Sequence, residues 1–388
     1  MELEGFGLLF TPVGQKALGE AVELVRGGAD PVVAASTLRR GYDAELVSAA
    51  LTQAGLRRRA AVKFGADAEV MYFTPHGLEQ ATRREVADHR AARLVERWGP
   101  TSVGDACCGV GGDLIALARA GCGVDAVDID PVTVAVARAN VEALGLTASV
   151  RAADAASLDP AAYGVLFADP ARRSSNRRTF DPRAYSPPWP VLMEMVGRAR
   201  GACLKVAPGI PYEFIPDEAE AEWVSFRGEV KEASLWLGGE ARRRATLLPG
   251  GDTLVAKGVQ AEVGAVGRYL YEPDGAAVRA HLVGEVAELV GGWLIDPQIA
   301  YLTSDVAVGS PWVAGYEVEE VMPFSLKRLR AALRERRVGV ATIKKRGSAV
   351  DVERLRKDLR LSGENTIVVI LTRIGERPIA VLATEMAL

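Results

Sequence analysis

Residues 101–113 read Thr-Ser-Val-Gly-Asp105-Ala-Cys107-Cys-Gly109-Val-Gly111-Gly112-Asp113. Ser102 to Cys107 has the short apolar character of a strand, and Asp113 to Ala120 reads as a helix closed by Gly121. Glycines between a strand and a helix let a ligand approach the backbone closely, and the helix N-terminus favours a negative group. A dinucleotide fingerprint would need a third glycine at position 114, where Leu114 stands. The carboxylate of Asp105 at the strand end suits a ligand that carries an ammonium group instead.

Outward from this turn the pattern repeats. Val124 to Asp128 predicts the next strand, and Asp130-Pro131 opens a helix to about Leu144, with Asp as cap and Pro in the first position. Ser149 to Ala152, Val165 to Ala168 and Ala202 to Val206 supply further strands. This β-α-β-α rhythm predicts an α/β fold with a parallel, doubly wound sheet and ligands at the carboxyl ends of its strands. Ala233 to Leu237 and Ala245 to Leu248 are expected to pair antiparallel at its edge. Asp128 closes the second strand, where a carboxylate can accept both hydroxyls of a ribose, and Asp154 follows the third, where it can accept from an adenine amino group. Each residue alone is ordinary turn chemistry. Their order and spacing carry the reading.

Before the sheet, Leu8 to about Ala91 shows helical spacing broken at Gly27-Gly28 and near Asp67, with one strand-like run at Val70 to Phe73. A single helix is expected from about Pro75 to Trp98, capped by Thr74. After Gly250-Gly251 the signal weakens until a helix over Ala276 to Leu289, and Pro311-Trp312 marks a boundary. Val313 to Leu388 reads strand, helix (Leu326 to Arg336), strand, helix (Val352 to Leu359), strand, strand. The division is thus 1–95 mostly helical, 96–251 the sheet domain, 252–311 a connecting segment and 312–388 an α+β module.

A chain of 388 residues exceeds one typical domain, which agrees with that division. No apolar run approaches the roughly 18–20 residues of a membrane span, and the acidic start Met1-Glu2-Leu3-Glu4 lacks the basic opening of a secretory signal. Cys107, Cys108, Cys122 and Cys203 show no CxxC spacing, and His76, His89 and His281 lie far apart. No metal site, no disulfide framework and a cytoplasmic location are therefore expected. The net charge of −3 hides a local excess: residues 323–360 hold thirteen Lys or Arg against four Asp or Glu.

Asp105-Ala-Cys-Cys-Gly-Val-Gly-Gly-Asp followed by Val127-Asp128-Ile129-Asp130-Pro-Val-Thr-Val-Ala-Val-Ala-Arg-Ala-Asn140 resembles the class I Rossmann-like methyltransferases. The branch it looks most like is that of trimethylguanosine synthase and related RNA guanine-N2 methyltransferases, over roughly Val70 to Lys205. The resemblance implies S-adenosylmethionine as cofactor, bound by Phe73, Thr74, Asp105, Cys107, Gly109, Gly111, Asp128, Ile129, Asp154 and Asp169. Phe73-Thr74-Pro75 is similar to a segment that closes over the cofactor in that branch.

Ala168-Asp169-Pro170-Ala171-Arg172-Arg173 resembles the amino-methyltransferase motif of Asp or Asn, two prolines and an aromatic residue, which accepts the N–H bonds of the target amine. The resemblance implies catalytic roles for Asp169, Pro170 and Arg172. Ala171 replaces the second proline and Arg172 the aromatic residue; a guanidinium can stack on a base, and Phe180, Tyr185 or Trp189 could supply a ring. Arg172, Arg173, Arg177 and Arg178 crowd seven residues and suit phosphate, or else form a solvated loop.

Val338 to Gly347 and Val368 to Arg373 look like the THUMP-like domain that follows such methyltransferase domains, which implies RNA contact through Lys344, Lys345 and Arg346. The function these resemblances imply is methylation of a base nitrogen of tRNA or rRNA, at guanine N2 or adenine N6. A protein or small-molecule acceptor, or a non-catalytic RNA-binding role, stays open.

Overall fold

Short strands form the parallel sheet, β1 and β4 at its centre buried on both faces: β1 (Ser102–Asp105), β2 (Gly123–Asp128), β3 (Ser149–Ala152) and β4 (Val165–Ala168). The computed structural model describes residues 3–172 and 181–386. After β4 come two short strands, β5 (Ala171–Arg172) and β6 (Tyr185–Ser186), which pair with each other, and then β7 (Ala202–Val206). The parallel order is β3-β2-β1-β4-β7. The chain leaves β1 in one direction and returns to β4 on its other side, so the topological switch lies between the ends of β1 and β4.

The chain divides into two compact units, Met1–Ala219 with Ala233–Glu240, and Glu220–Glu232 with Ala241–Leu388. In the first, four helices precede the sheet: α1 (Leu3–Leu8), α2 (Pro12–Arg26), α3 (Pro31–Leu38) and α4 (Ala44–Phe64). Thr11 and Asp30 cap α2 and α3 through their side-chain oxygens, each ahead of a first-turn proline. The single helix expected from Pro75 to Trp98 is two, α5 (Pro75–Gln80) and α6 (Arg84–Trp98). The break is held by Lys63, whose Nζ donates to the carbonyls of Leu78, Glu79 and Ala81 at 2.7, 2.8 and 2.9 Å. An ammonium on a helix C-terminus satisfies carbonyls that the next turn would otherwise use.

The run at 70–73 joins no sheet, and Val70 is a turn residue in the helical region. Two buried side-chain amides act as its partners. Gln53 of α4 accepts the Phe73 N–H at Oε1 (3.1 Å) and donates to the Phe73 carbonyl (2.6 Å). Asn140 accepts the Tyr72 N–H (2.6 Å) and donates to the carbonyls of Tyr72 (3.0 Å) and Val110 (2.9 Å). Two further helices frame the sheet, α7 (Gly112–Arg119) and α8 (Pro131–Ala143), the latter carrying Asn140. α9 (Trp189–Arg198) leads into β7.

In the second unit, β8 (Glu220–Phe226) precedes β9 (Glu229–Leu237), whose part from Ala233 belongs to the first unit and pairs antiparallel with β7. β10 (Arg242–Leu248) runs parallel to β8, and β11 (Asp252–Val255) antiparallel to β10. The expected hairpin of 233–237 with 245–248 is therefore replaced by two different pairings. The reason is β8, whose buried Glu220 and Glu222 obscure its strand pattern while accepting from Arg244 (2.7 Å) and Thr246 (2.7 Å) of β10.

The remainder is a seven-stranded sheet of β12 (Tyr269–Pro273), β13 (Trp293–Asp296), β14 (Ile299–Ser304), β15 (Val313–Pro323), β16 (Val338–Lys345), β17 (Asn365–Ile374) and β18 (Arg377–Glu385). Its order is β13-β14-β12-β15-β18-β17-β16. The helix expected over 276–289 is split into α10 (Gly275–Arg279) and α11 (Val283–Val290) at His281, whose φ is +54°. α12 (Leu326–Glu335) and α13 (Val352–Leu359) cover one face of the sheet through Leu329, Leu333, Leu355 and Leu359. Tyr301, Tyr316, Ile370 and Val381 fill the other. No helix among the described residues is long and apolar enough to cross a membrane.

Asn140→Ala leaves three buried backbone groups without their amide partner. The variant is expected to lose about 2–3 kcal/mol of unfolding free energy in urea. An unchanged midpoint would show that the 70–73 segment satisfies itself otherwise.

Candidate active site

Four carboxylates collect at the carboxyl ends of four neighbouring strands. Asp105, the last residue of β1, is fully buried. Its Oδ1 accepts the Cys107 N–H at 3.2 Å, and its Oδ2 has no partner. Burial pushes this carboxyl up to about 7, with Asp169 and Asp128 adding to the rise and the Cys107 N–H and Arg90 opposing it. A buried acceptor left without a partner in the chain is a place where a donor on a ligand can bind.

Next to it the chain turns through Gly109 (φ +54°) and Gly111 (φ +91°), both in the left-handed region that glycine tolerates. The Gly109 N–H donates to Asp128 Oδ2 and the Asp130 N–H to Oδ1, each at 3.0 Å, which fixes the carboxylate at the end of β2. Ile129 beside it is 74% exposed, a large apolar face left on the surface at this one point of the strand ends. Asp154, after β3, accepts the Ala156 N–H at 2.8 Å. Burial raises the Cys107 thiol well above its ordinary value, and Asp105, Asp169, Asp128 and Asp154 all add to the rise, so one thiol lies within the field of all four carboxylates. The structure brings these four carboxylates to one end of the sheet.

Over this turn lies α5. Thr74 Oγ1 accepts the Gly77 N–H at 2.9 Å, the capping role expected of it, and a Cβ at Gly77 would fall 2.4 Å from Val110 Cγ1. Phe73 is placed differently from expectation: its ring is fully buried 5.3 Å from that of Phe64, and Gln53 takes both of its main-chain groups. It anchors the segment from behind.

Asp169 follows β4 and is about a third exposed, with Pro170 buried behind it. Its Oδ2 accepts from Lys205 Nζ at 2.5 Å. Lys205 also donates to Thr82 Oγ1 (2.8 Å), which donates in turn to Asp113 Oδ2 (2.8 Å), and Asp113 pairs with the buried Arg90. Neither Lys205 nor this chain behind it follows from the motifs. The signal was a lysine near the end of the strand Ala202-Cys-Leu-Lys-Val, otherwise buried throughout, since a charge in such a strand requires a partner. Thr82 is available only because the helix breaks between α5 and α6.

Tyr185 and Trp189 do not present a stacking face. Both are buried, Trp189 meets Phe214 edge to face at 6.1 Å, and the Tyr185 hydroxyl accepts the Ala207 N–H at 3.0 Å. The backbone of Arg172 pairs with that of Tyr185, while Arg173, Arg177, Arg178 and Phe180 lie outside the described residues. In the second unit, Lys344 and Arg346 both pair with Glu272, at 2.7 and 3.4 Å, and Lys345 donates to the Val350 carbonyl at 3.0 Å. Arg336 and Arg337 pair with Glu320 and Glu364. Much of the basic excess of 323–360 is thus met by acids outside that window. All four cysteines are free thiols.

The charge state of Asp105 is testable without any ligand. Unfolded, its carboxyl ionises near 3.8; folded, near 7. Between those values the folded chain holds the extra proton, so the ligand-free fold loses stability as pH rises. Above the window it carries a cost on the order of 4 kcal/mol. Asp105→Asn is expected to raise the ligand-free Tm at pH 8, with the gain shrinking toward pH 4. A variant no more stable than the parent at pH 8 would show that Asp105 is charged there without cost.

Comparison with known proteins agrees with this geometry. Residues 103–168 match a family model described as a methyltransferase domain, residues 313–385 one described as THUMP domain-like, and residues 2–60 a domain of unknown function. Two Mycobacterium tuberculosis proteins, from strains CDC 1551 / Oshkosh and ATCC 25618 / H37Rv, are each 41% identical over 334 residues, covering 82% of this chain and 91% of theirs. Both are named uncharacterized S-adenosylmethionine-dependent methyltransferases. The solved structure of a candidate methyltransferase from Porphyromonas gingivalis W83 superposes with a TM-score of 0.73 at 21% identity, over 89% of this chain and 92% of that one.

Proposed function

Because the chain belongs to the S-adenosylmethionine-dependent methyltransferases, we propose that its acceptor is a base nitrogen of RNA, guanine N2 or adenine N6 of tRNA or rRNA. The observation that carries this is Asp169-Pro170 at the end of β4, across the topological switch from Asp105. The THUMP-like match of 313–385 supports a nucleic-acid partner. In this reading 96–251 carry the chemistry, 312–388 engage RNA, 1–95 brace the cofactor turn and 252–311 connect. Four free thiols suit a cytoplasmic enzyme.

The residues present fit the cofactor. Asp105 Oδ2, orphaned and buried, is the partner for its ammonium, and the turn through Cys107, Gly109 and Gly111 lets the amino-acid tail lie against backbone. Asp128 accepts one N–H on each oxygen and keeps lone pairs for two ribose hydroxyls. Ile129 covers the adenine face, Asp154 accepts from its amino group, and Thr74 closes the turn from α5.

When bound, the cofactor would supply a methyl group on a positively charged sulfur; the C–S bond electrons would stay on sulfur, and the acceptor nitrogen, having formed its N–C bond, would give up one N–H proton by way of Asp169 to solvent. The chain contributes alignment and exclusion of water. Asp169 and the adjoining main chain accept the N–H bonds of the acceptor and turn its lone pair toward the cofactor. Arg172 serves the base plane, and Arg173, Arg177 and Arg178 the phosphates.

Labelled methyl from S-adenosylmethionine is expected to enter RNA from cells lacking the protein, and nucleoside analysis should return an N-methyl base. Asp169→Ala is expected to lose about 100-fold or more in transfer with cofactor binding kept. Full activity in that variant would remove Asp169 from the mechanism. Label confined to protein or small molecules would overturn the choice of RNA.

A further inference from the structure

We propose that Lys205 reads the acceptor: it donates to the ring nitrogen beside the amino group that Asp169 holds. The inference rests on the proposed methylation of an RNA base and says which edge of that base the site reads. Nothing in the motifs assigns this residue a role.

Lys205 has three N–H bonds to give. Thr82 takes one at 2.8 Å and Asp169 Oδ2 another at 2.5 Å. The side chain is 14% exposed and Asp169 32%, so both reach the surface of the site rather than the core. Behind them the contacts are fixed. Thr82 Oγ1 spends its hydrogen on Asp113, and Asp113 is held by the buried Arg90, so Thr82 can only accept from Lys205. The ammonium is therefore held on two sides, with one donor remaining. Asp169, with Oδ2 engaged, keeps Oδ1 as its open acceptor.

The pair thus presents an acceptor and a donor side by side, and its complement is an amino group next to an unprotonated ring nitrogen. Adenine offers this at N6 with N1 or N7, cytosine at N4 with N3, and guanine at N2 with N3 on its minor-groove edge. The Watson–Crick edge of guanine places the N1–H donor beside N2, which would set a proton against the ammonium. A buried or half-buried donor facing another donor loses its hydrogen bond and is rejected strongly. The pair therefore takes adenine N6 through N1 or N7, and guanine N2 through N3 alone.

The first arm of the test is the methylated nucleoside formed by the full-length protein on RNA from cells lacking it. N6-methyladenosine, N4-methylcytidine or N2-methylguanosine is expected. A base methylated at a ring nitrogen or at carbon overturns the role of Lys205 while the RNA assignment survives. Absence of label in any RNA overturns both.

The second arm uses an oligonucleotide of the modified sequence with the ring nitrogen replaced by C–H: 1-deaza- or 7-deazaadenosine, 3-deazacytidine or 3-deazaguanosine. If Lys205 donates to that nitrogen, one of these replacements costs the parent enzyme about 10- to 100-fold in kcat and costs Lys205→Met nothing further. Lys205→Met itself should show the same fall in kcat with KM for RNA and cofactor affinity little changed. Equal sensitivity of parent and variant to every replacement would show that Lys205 only supports Asp169. Cofactor affinity reports whether the Met variant is folded. Should it fail to bind cofactor, Lys205→Gln, whose amide has only two N–H bonds for Thr82 and Asp169, replaces it in the same cycle, with the same two outcomes.

Discussion

Negative charge crowded at the ends of parallel strands is the constraint around which this unit is built. A doubly wound sheet brings β1, β2, β3 and β4 side by side, and each ends in or just before an aspartate. Four carboxylates within reach of one thiol cannot all be left to water, because the first of them has none. The chain resolves this in three ways. The Gly109 and Asp130 N–H groups donate to Asp128, a lysine from β7 pairs with Asp169, and burial raises the Asp105 carboxyl toward its protonated form.

How well the sequence foretold the structure depends on how far apart the interacting residues lie. The strand–turn–helix of 102–119 is local: strand run, glycines and helix follow one another, and each dictates its own conformation. Asp128 and Asp154 follow from the same rhythm. Lys205 and Thr82 do not, because their pairing spans 123 residues and hinges on a helix break set by Lys63. No local rule records that a lysine in α4 will draw three carbonyls from another helix. The 233–237 strand was likewise visible, but its partner was not, since Glu220 and Glu222 make β8 read as a polar loop.

The basic residues near the C-terminus show the converse error. Counting charges within 323–360 takes no account of Glu272, Glu320 and Glu364, which fold against that window from outside it. Lys344 and Arg346 hold the inner face of the sheet to β12 and β14 through Glu272 and the Ala300 carbonyl. A run of like charge in sequence is thus partly a set of internal ties.

The amides of Gln53 and Asn140 have a bearing on how such a chain can be rearranged over evolutionary time. An extended segment held by a sheet neighbour can exchange that neighbour for another strand of similar length. The segment at 72–73 is held by one glutamine from α4 and one asparagine from α8, at fixed register. A slip of one residue would break both pairs. The amides thus tie α4, the 72–73 segment and α8 together, although α4 lies far from the sheet in sequence. Recombination that joined the sheet to a different helical partner would have to bring a matching amide with it.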